Sequence, residues 1–139
     1  MGQEQQLPPV MAGIFTPAEG GRLPSLLGRR CPACALVFFH PRSHCPSCLG
    51  PMETVDLGGR GELHSFTVVR TKAPLGLPQP YGVGFVDLPQ DGPRVFCLLD
   101  PGALDRLRLG QAVRLAVAPL GHDQQGRPCL RPYFTPDGD

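Results

Sequence analysis

Four of the six cysteines fall in two pairs, Cys31-Pro-Ala-Cys34 and Cys45-Pro-Ser-Cys48, with ten residues between the pairs. No other feature limits what the chain can fold into as strongly. Each Cys-x-x-Cys closes a tight knuckle whose two sulfurs point to one side while backbone amides soften their charge. Two such knuckles facing one another present four thiolates in the tetrahedral arrangement that Zn(II) takes in closed structural sites. The start, Met1 to Gln6, lacks the basic region and apolar stretch of a secretion signal, so a disulfide framework is disfavoured. A thioredoxin-like redox role needs one such motif on a strand–helix–strand unit, which neither the duplication nor the surroundings fit. Cys31, Cys34, Cys45 and Cys48 are therefore expected to hold a structural Zn(II), with iron as the other metal that this donor set accepts. Sulfur at all four positions leaves no place for a metal-bound water, so the metal is not expected to act on a substrate. His40 and His44, between the knuckles, read as polar surface residues of the ribbon turn, although either is chemically able to replace a cysteine.

The rest of the chain reads as β structure. With 18 glycines and 18 prolines among 139 residues the composition approaches that of disordered segments. Its apolar residues, however, fall in short alternating runs between those glycines and prolines, the pattern of many strands and turns. Strands are expected from Gly58 through Arg70, from Tyr81 to Leu88, from Arg94 to Leu99, near Ala112 to Pro119 and near Cys129 to Phe134. A proline-laden loop covers Thr71 to Pro80, Asp91-Gly92 gives a hairpin signal, a short helical turn falls around Ala103 to Leu107, and His122 to Gly126 form a turn. Five strands with a short helix between the third and fourth follow the order of an OB-type Greek-key barrel. Gly82 and Gly84 leave one face of their strand bare, where such a barrel coils on itself. Cys97 and Cys129 are expected as buried small hydrophobes, and Phe66, Phe85 and Phe96 as core. The expected fold is mainly β, with an N-terminal extension over 1–25, a zinc ribbon over 26–57 and the barrel over 58–139.

Charge narrows the functional classes. The formal net charge is +1, with 13 basic and 12 acidic residues, so there is no global field to hold a polyanion. Single-strand binders set aromatic platforms beside a basic groove, whereas this chain has no Trp, two Tyr and a single Lys. The longest apolar run, Val95 to Leu99, is too short to cross a bilayer, and a cytoplasmic protein is expected. No nucleophile elbow, phosphate loop, zinc-protease helix or dinucleotide glycine pattern is present. Cys97 or Cys129 meeting His64 or His122 is the one nucleophilic arrangement that the composition permits.

Taken in order, Arg29-Arg30-Cys31-x-x-Cys34, His40-Pro41-Arg42, Cys45-Pro46-x-Cys48, Gly59-Arg60-Gly61, Ser65-Phe66-Thr67-Val68-Val69 and Leu109-Gly110-x-x-Val113 resemble the family of acyl-CoA-associated proteins that join a rubredoxin-like zinc ribbon to an OB fold. The likeness runs from about Leu26 to Phe134. It implies a non-catalytic accessory subunit of a thiolase, hydroxymethylglutaryl-CoA synthase, aldolase or hydratase, inactive alone, which stabilises its partner and helps to form the coenzyme A site. It also implies a hetero-tetramer with a thiolase-like enzyme, in aromatic compound degradation of the benzylsuccinate type or in steroid side-chain degradation. The alternative is a zinc-ribbon/OB nucleic-acid-binding module.

Two features bear on that reading. Family members begin with an amphipathic helix, but Pro8, Pro9, Pro17, Gly20, Gly21 and Pro24 interrupt residues 1–25 here. The apolar segment Val10 to Phe15 has no obvious core position and is expected either to pack on the partner or to form a flexible tail. Between Gly21 and Met52 stand Arg22, Arg29, Arg30 and Arg42 with no Asp or Glu. With Arg70 and Lys72 on the facing barrel loop, Arg29 and Arg30 are candidates for the phosphates of coenzyme A or acyl-CoA; the alternatives are a solvated surface or acidic groups of a partner.

Overall fold

Ser25-Leu-Leu-Gly-Arg-Arg alternates buried and half-buried positions, and this strand organises the N-terminal half. In the computed structural model, which describes residues 7–16, 23–39, 42–89 and 92–137, it is the second of the strands. They are β1 (Phe15–Thr16), β2 (Ser25–Arg30), β3 (Val37–Phe38), β4 (Glu53–Gly58), β5 (Arg60–Val69), β6 (Tyr81–Asp87), β7 (Arg94–Leu99), β8 (Ala112–His122) and β9 (Pro128–Pro136). Along one edge β2 pairs with β4, and along the other with β1 at Leu26 and with β3 at Arg29, all antiparallel. Gly28 makes that crowding possible: a Cβ there would stand 2.8 Å from the Phe38 carbonyl and 2.7 Å from a Leu57 methyl.

The remaining strands close into a barrel in the order β5-β6-β7-β9-β8. All neighbours are antiparallel except β7 and β9, which run parallel and meet with Leu99 opposite Phe134. This is the expected five-stranded Greek key, with a single 3₁₀ turn, Leu104–Arg106, where the short helix was expected. A bulge between Leu63 and Ser65 in β5 lies opposite Val86 and Phe85, one pair before Phe66 meets Gly84. A Cβ on Gly84 would collide with the Ser65 carbonyl, so the bare glycine face is what lets the bulged strand bend inward. Leu63, Val86, Val95, Leu99, Val113 and Phe134 fill the interior and are essentially inaccessible to solvent. At the β8–β9 turn the Asp123 carboxylate accepts the amides of Gln125 and Arg127, an Asx-type cap on the hairpin. Asp91 lies outside the described residues; beside it, Gly92 donates to the Pro89 carbonyl at 3.0 Å. No helix among the described residues is long and apolar enough to cross a membrane.

Three expectations need correction. Phe85 and Phe96 are not core: they are 40% and 54% exposed. Alternation explains it, because Gly84, Val86 and Val95 take the inward positions and leave the two rings outside. Cys129 is fully buried as expected, but Cys97 is only half-buried. The segment Val10 to Phe15 does have a core position. Val10 donates to the Leu130 carbonyl and Leu130 to that of Pro8, both at 2.8 Å, while Phe15 pairs with Leu26 and is 6% exposed. Residues 8–16 thus form a strap that hydrogen-bonds first to the barrel and then to the ribbon sheet. The prolines that forbid a helix are compatible with this extended path.

Candidate metal centre

The two knuckles repeat one backbone pattern. Cys31 accepts the amide of Ala35 and donates to the carbonyl of Leu36; Cys45 accepts the amide of Leu49 and donates to the carbonyl of Gly50, at 2.8 and 2.9 Å in each case. Ala35 and Leu49, at equivalent places, take left-handed conformations with φ of 61° and 63°. Non-glycine residues adopt that region at a cost of about 1–3 kcal/mol, so its repetition marks a geometry that the turn demands. Backbone amides within the knuckles point at the sulfurs: Cys34 N–H at Cys31 Sγ and Ser47 N–H at Cys45 Sγ, both at 3.3 Å, and Gly50 N–H at Cys48 Sγ at 3.4 Å.

This double knuckle brings all four sulfurs within 4.8 Å of one another, with Cys31 and Cys48 Sγ 3.5 Å apart. A tetrahedral ion with metal–sulfur bonds of about 2.3 Å needs sulfur separations of about 3.8 Å. The group is therefore of the right size and chemistry for Zn(II). Cys31 and Cys45 are buried, Cys34 is half-buried and Cys48 exposed, so each knuckle contributes one inner and one outer sulfur. The backbone amide of Cys48, joined by that of Ser47, pulls the Cys45 thiol down to about 7. Hydrogen bonding to Cys48 and Cys31 pushes Cys34 up to about 12. Four thiolates this close repel one another unless a cation sits among them. His44 is exposed and stands outside the sulfur group, its backbone bridging to Pro51; His40 lies outside the described residues.

The cationic candidates are not gathered as the cysteines are. Arg29 and Arg30 are neighbours on β2 and so face opposite sides of the sheet. Arg30 is ion-paired with Glu53 at 3.1 Å, and Arg29 donates to the Gly28 carbonyl. Arg42 lies over the Phe38 ring, 4.9 Å from its centroid. Arg70 and Lys72 are exposed where β5 ends and its loop begins. Among the described residues no hydrogen bond or ion pair connects Arg29 or Arg30 with Arg70 or Lys72. Nor is a cysteine hydrogen-bonded to a histidine: Cys97 faces the Gly84 carbonyl and Cys129 that of Leu120, while His64 lies beside Asp87 and His122 contacts the Asp123 carbonyl. Sequence reasoning missed the exposed Phe85–Phe96 pair, which strand parity signals.

Residues 18–53 match the family described as "ChsH2, rubredoxin-like zinc ribbon domain", and residues 54–118 that described as "ChsH2, C-terminal OB-fold domain". Over 122 residues, 87% of this chain and 82% of the other, the sequence is 37% identical to the benzoylsuccinyl-CoA thiolase subunit BbsA of Thauera aromatica. The chain belongs to the ChsH2 family of zinc-ribbon and OB-fold proteins. Its likeness to other relatives is of the same kind. This ChsH2-family chain is 34% identical to BbsA of Geobacter metallireducens over 122 residues, 87% of this chain and 80% of that one. It is 32% identical to a DUF35 domain-containing scaffold protein of Methanothermobacter thermautotrophicus over 94 residues, 66% of this chain and 70% of that one. Among solved structures, one titled "Ltp2-ChsH2(DUF35) aldolase" superposes with a TM-score of 0.63 at 29% identity, over 81% of this chain and 84% of that one.

Proposed function

We propose that this chain is a non-catalytic accessory subunit of a thiolase-like acyl-CoA enzyme, acting in aromatic compound degradation of the benzylsuccinate type. The observation that carries the reading is the 37% identity, over 87% of the chain, to a benzoylsuccinyl-CoA thiolase subunit. The chemistry of the site agrees with it. Cys31, Cys34, Cys45 and Cys48 would hold Zn(II) through four sulfurs, and a bound zinc so saturated supplies rigidity, not a Lewis acid or an activated water. The residues of this chain then hold surfaces in place: the knuckles end β2 and deliver the chain into β4, and the strap ties that sheet to the barrel. Bond making and breaking belongs to the larger subunit, in a hetero-tetramer.

Coenzyme A contact is part of the proposal. Arg29, Arg70 and Lys72 are the better candidates for its phosphates, because the guanidinium of Arg30 is already engaged by Glu53. Co-expression with a thiolase-like subunit from the source genome tests the whole. Co-purification, and thiolysis that needs both chains, is expected; thiolysis by this chain alone overturns the reading. Titrating coenzyme A against charge-reversed Arg29, Arg70 and Lys72 tests the contact, and equal affinities throughout would remove it.

One observation favours the nucleic-acid reading. Phe85 and Phe96 are exposed neighbours on the outside of the second and third barrel strands, the place where OB folds stack bases. The charge beside them does not suit a phosphate chain, since Arg94 is neutralised by Asp87 at 2.6 Å. A mobility shift with single-stranded oligonucleotides decides between the two readings.

A further inference from the structure

A cleft of about 220 Å3 opens between the ribbon, the strap and the barrel. It arises where β7 and β9, in register at Leu99 and Phe134, are separated further along β9 by the strap, which takes over the pairing at Leu130. Val10 and Ile14 line the cleft from the strap, Phe96, Cys97 and Leu98 from β7, and Arg131 from β9. Arg131 is the only charged residue among those lining it.

That arginine is 8% exposed. Its guanidinium donates to the carbonyls of Leu120 at 2.6 Å and His122 at 3.3 Å, and among the described residues no carboxylate pairs with it. Carbonyl oxygens occupy some of the five donors and neutralise none of the charge, and a buried cation is costly until an anion meets it. The guanidinium lies near Leu77, one of the residues lining the cleft. Arg131 Nη1 and a methyl of Leu77, which also lines the cleft, stand 2.9 and 3.2 Å from the point where a Cβ on Gly121 would sit.

We propose that this cleft binds a small apolar monocarboxylate, with the hydrocarbon body beneath Val10 and Ile14 and the carboxylate on Arg131. Size sets the class. An apolar cavity of about 150 Å3 accepts benzene, so this one accommodates a ring bearing a short acid arm, about ten non-hydrogen atoms. A dianion would leave one charge unmatched among apolar walls, and a neutral hydrocarbon would leave the guanidinium as it stands. The Cys97 thiol, pushed up to about 12 by burial, adds no competing negative charge. The site belongs to this chain alone and stands or falls independently of any enzyme partner.

Titrating the zinc-loaded full chain with phenylacetate and with phenylacetamide tests it, read by the methyl resonances of Val10, Ile14 and Leu98 and by the alkylation rate of Cys97. The acid is expected to shift those methyls and to slow alkylation, and the amide to bind about tenfold more weakly or worse, the loss of one charge-assisted pair. Since substituting Arg131 also removes two backbone contacts, the variant to test is Ile14→Phe, which fills the cleft from the strap. It is expected to abolish the effect of the acid with an unchanged melting temperature. Equal affinity for acid and amide, no shift at millimolar acid, or undiminished binding by Ile14→Phe would overturn the proposal.

Discussion

Phe85 and Phe96 face each other across the β6–β7 ladder with ring centroids 5.1 Å apart and planes inclined at 57°, on the outside of the barrel. Tilted aromatic pairs contribute about 0.5–1.5 kcal/mol beyond the area they cover. Because more than half of Phe96 is in solvent, Phe96→Ser is expected to cost about 1 kcal/mol. Phe134, fully buried in the same barrel, should cost about 3–5 kcal/mol on truncation to Ala. Urea denaturation of both variants checks the contrast, and similar losses would contradict the outward placement of Phe96.

Metal removal is expected to spread beyond the knuckles. A structural Zn(II) supplies on the order of 10 kcal/mol of binding free energy to a module that has little core of its own. Phe15 and Leu26, which belong to the ribbon sheet, pack in one cluster with Leu115 and Phe134 of the barrel. Chelation, or Cys45→Ser at a fully buried ligand position, should therefore collapse the amide dispersion of residues 26–57 and also lower the melting temperature of the barrel. Metal analysis should give one zinc per chain before treatment and none after it.

Sequence alone made the metal group legible because its information is local: two knuckles, each closed within six residues, carry all four sulfurs. The barrel strands were legible for a related reason, since alternation and turn residues are read along one stretch of chain. The strap was not. Its hydrogen bonds join Pro8 and Val10 to Leu130, and no periodicity in Val10 to Phe15 points to a partner so far along the chain. The outward rings were readable in principle. Gly82 and Gly84 share one face of their strand, so parity puts Phe85 on the other, against the inward pull that its hydrophobicity suggests.

Acid is expected to weaken the β8–β9 hairpin through Asp123. The backbone amide of Arg127 lowers its pKa most, aided by the amide of Gln125 and by the Arg127 side chain, with partial desolvation working against them. A folded-state pKa below the unfolded value of about 3.9 means stability that is fully present above that value and lost as the pH falls through it and on through the folded pKa. Asp123→Asn should therefore be less stable than the parent at neutral pH, and the gap should close in acid. Melting temperatures of both proteins between neutrality and strong acid test this, and a constant gap would exclude the carboxylate as its source.

Gly84 is expected to tolerate no side chain. Its absent Cβ lets the Ser65 carbonyl and the Phe66 backbone approach just past the β5 bulge. Gly84→Ala must push β5 away from β6 or flatten the bulge, and overpacking of this kind costs about 1–3 kcal/mol. Gly126, at the tip of the β8–β9 turn, has nothing within 4 Å of its Cβ position, and its φ of +80° is its only demand. Gly126→Asn should therefore be mild, because Asn enters the left-handed region readily. Thermal melts that rank the two the other way would contradict the close approach at Gly84.

Whether the strap also docks on a partner has to be separated from its part in folding. Deleting residues 1–20 would remove Phe15 from the core along with any docking surface, so lost co-purification would not distinguish the two. Met11 does, because it is 53% exposed while Val10 and Ile14 on the same strap pack inward. Met11→Glu places a charge on the outer side of the strap and should leave the melting temperature unchanged. If the segment contributes to docking, that substitution weakens co-purification with the thiolase-like subunit. Phe15→Ala should instead destabilise the chain by about 3–5 kcal/mol. Undiminished co-purification of a fully folded Met11→Glu protein would leave the strap a purely internal tie between ribbon and barrel.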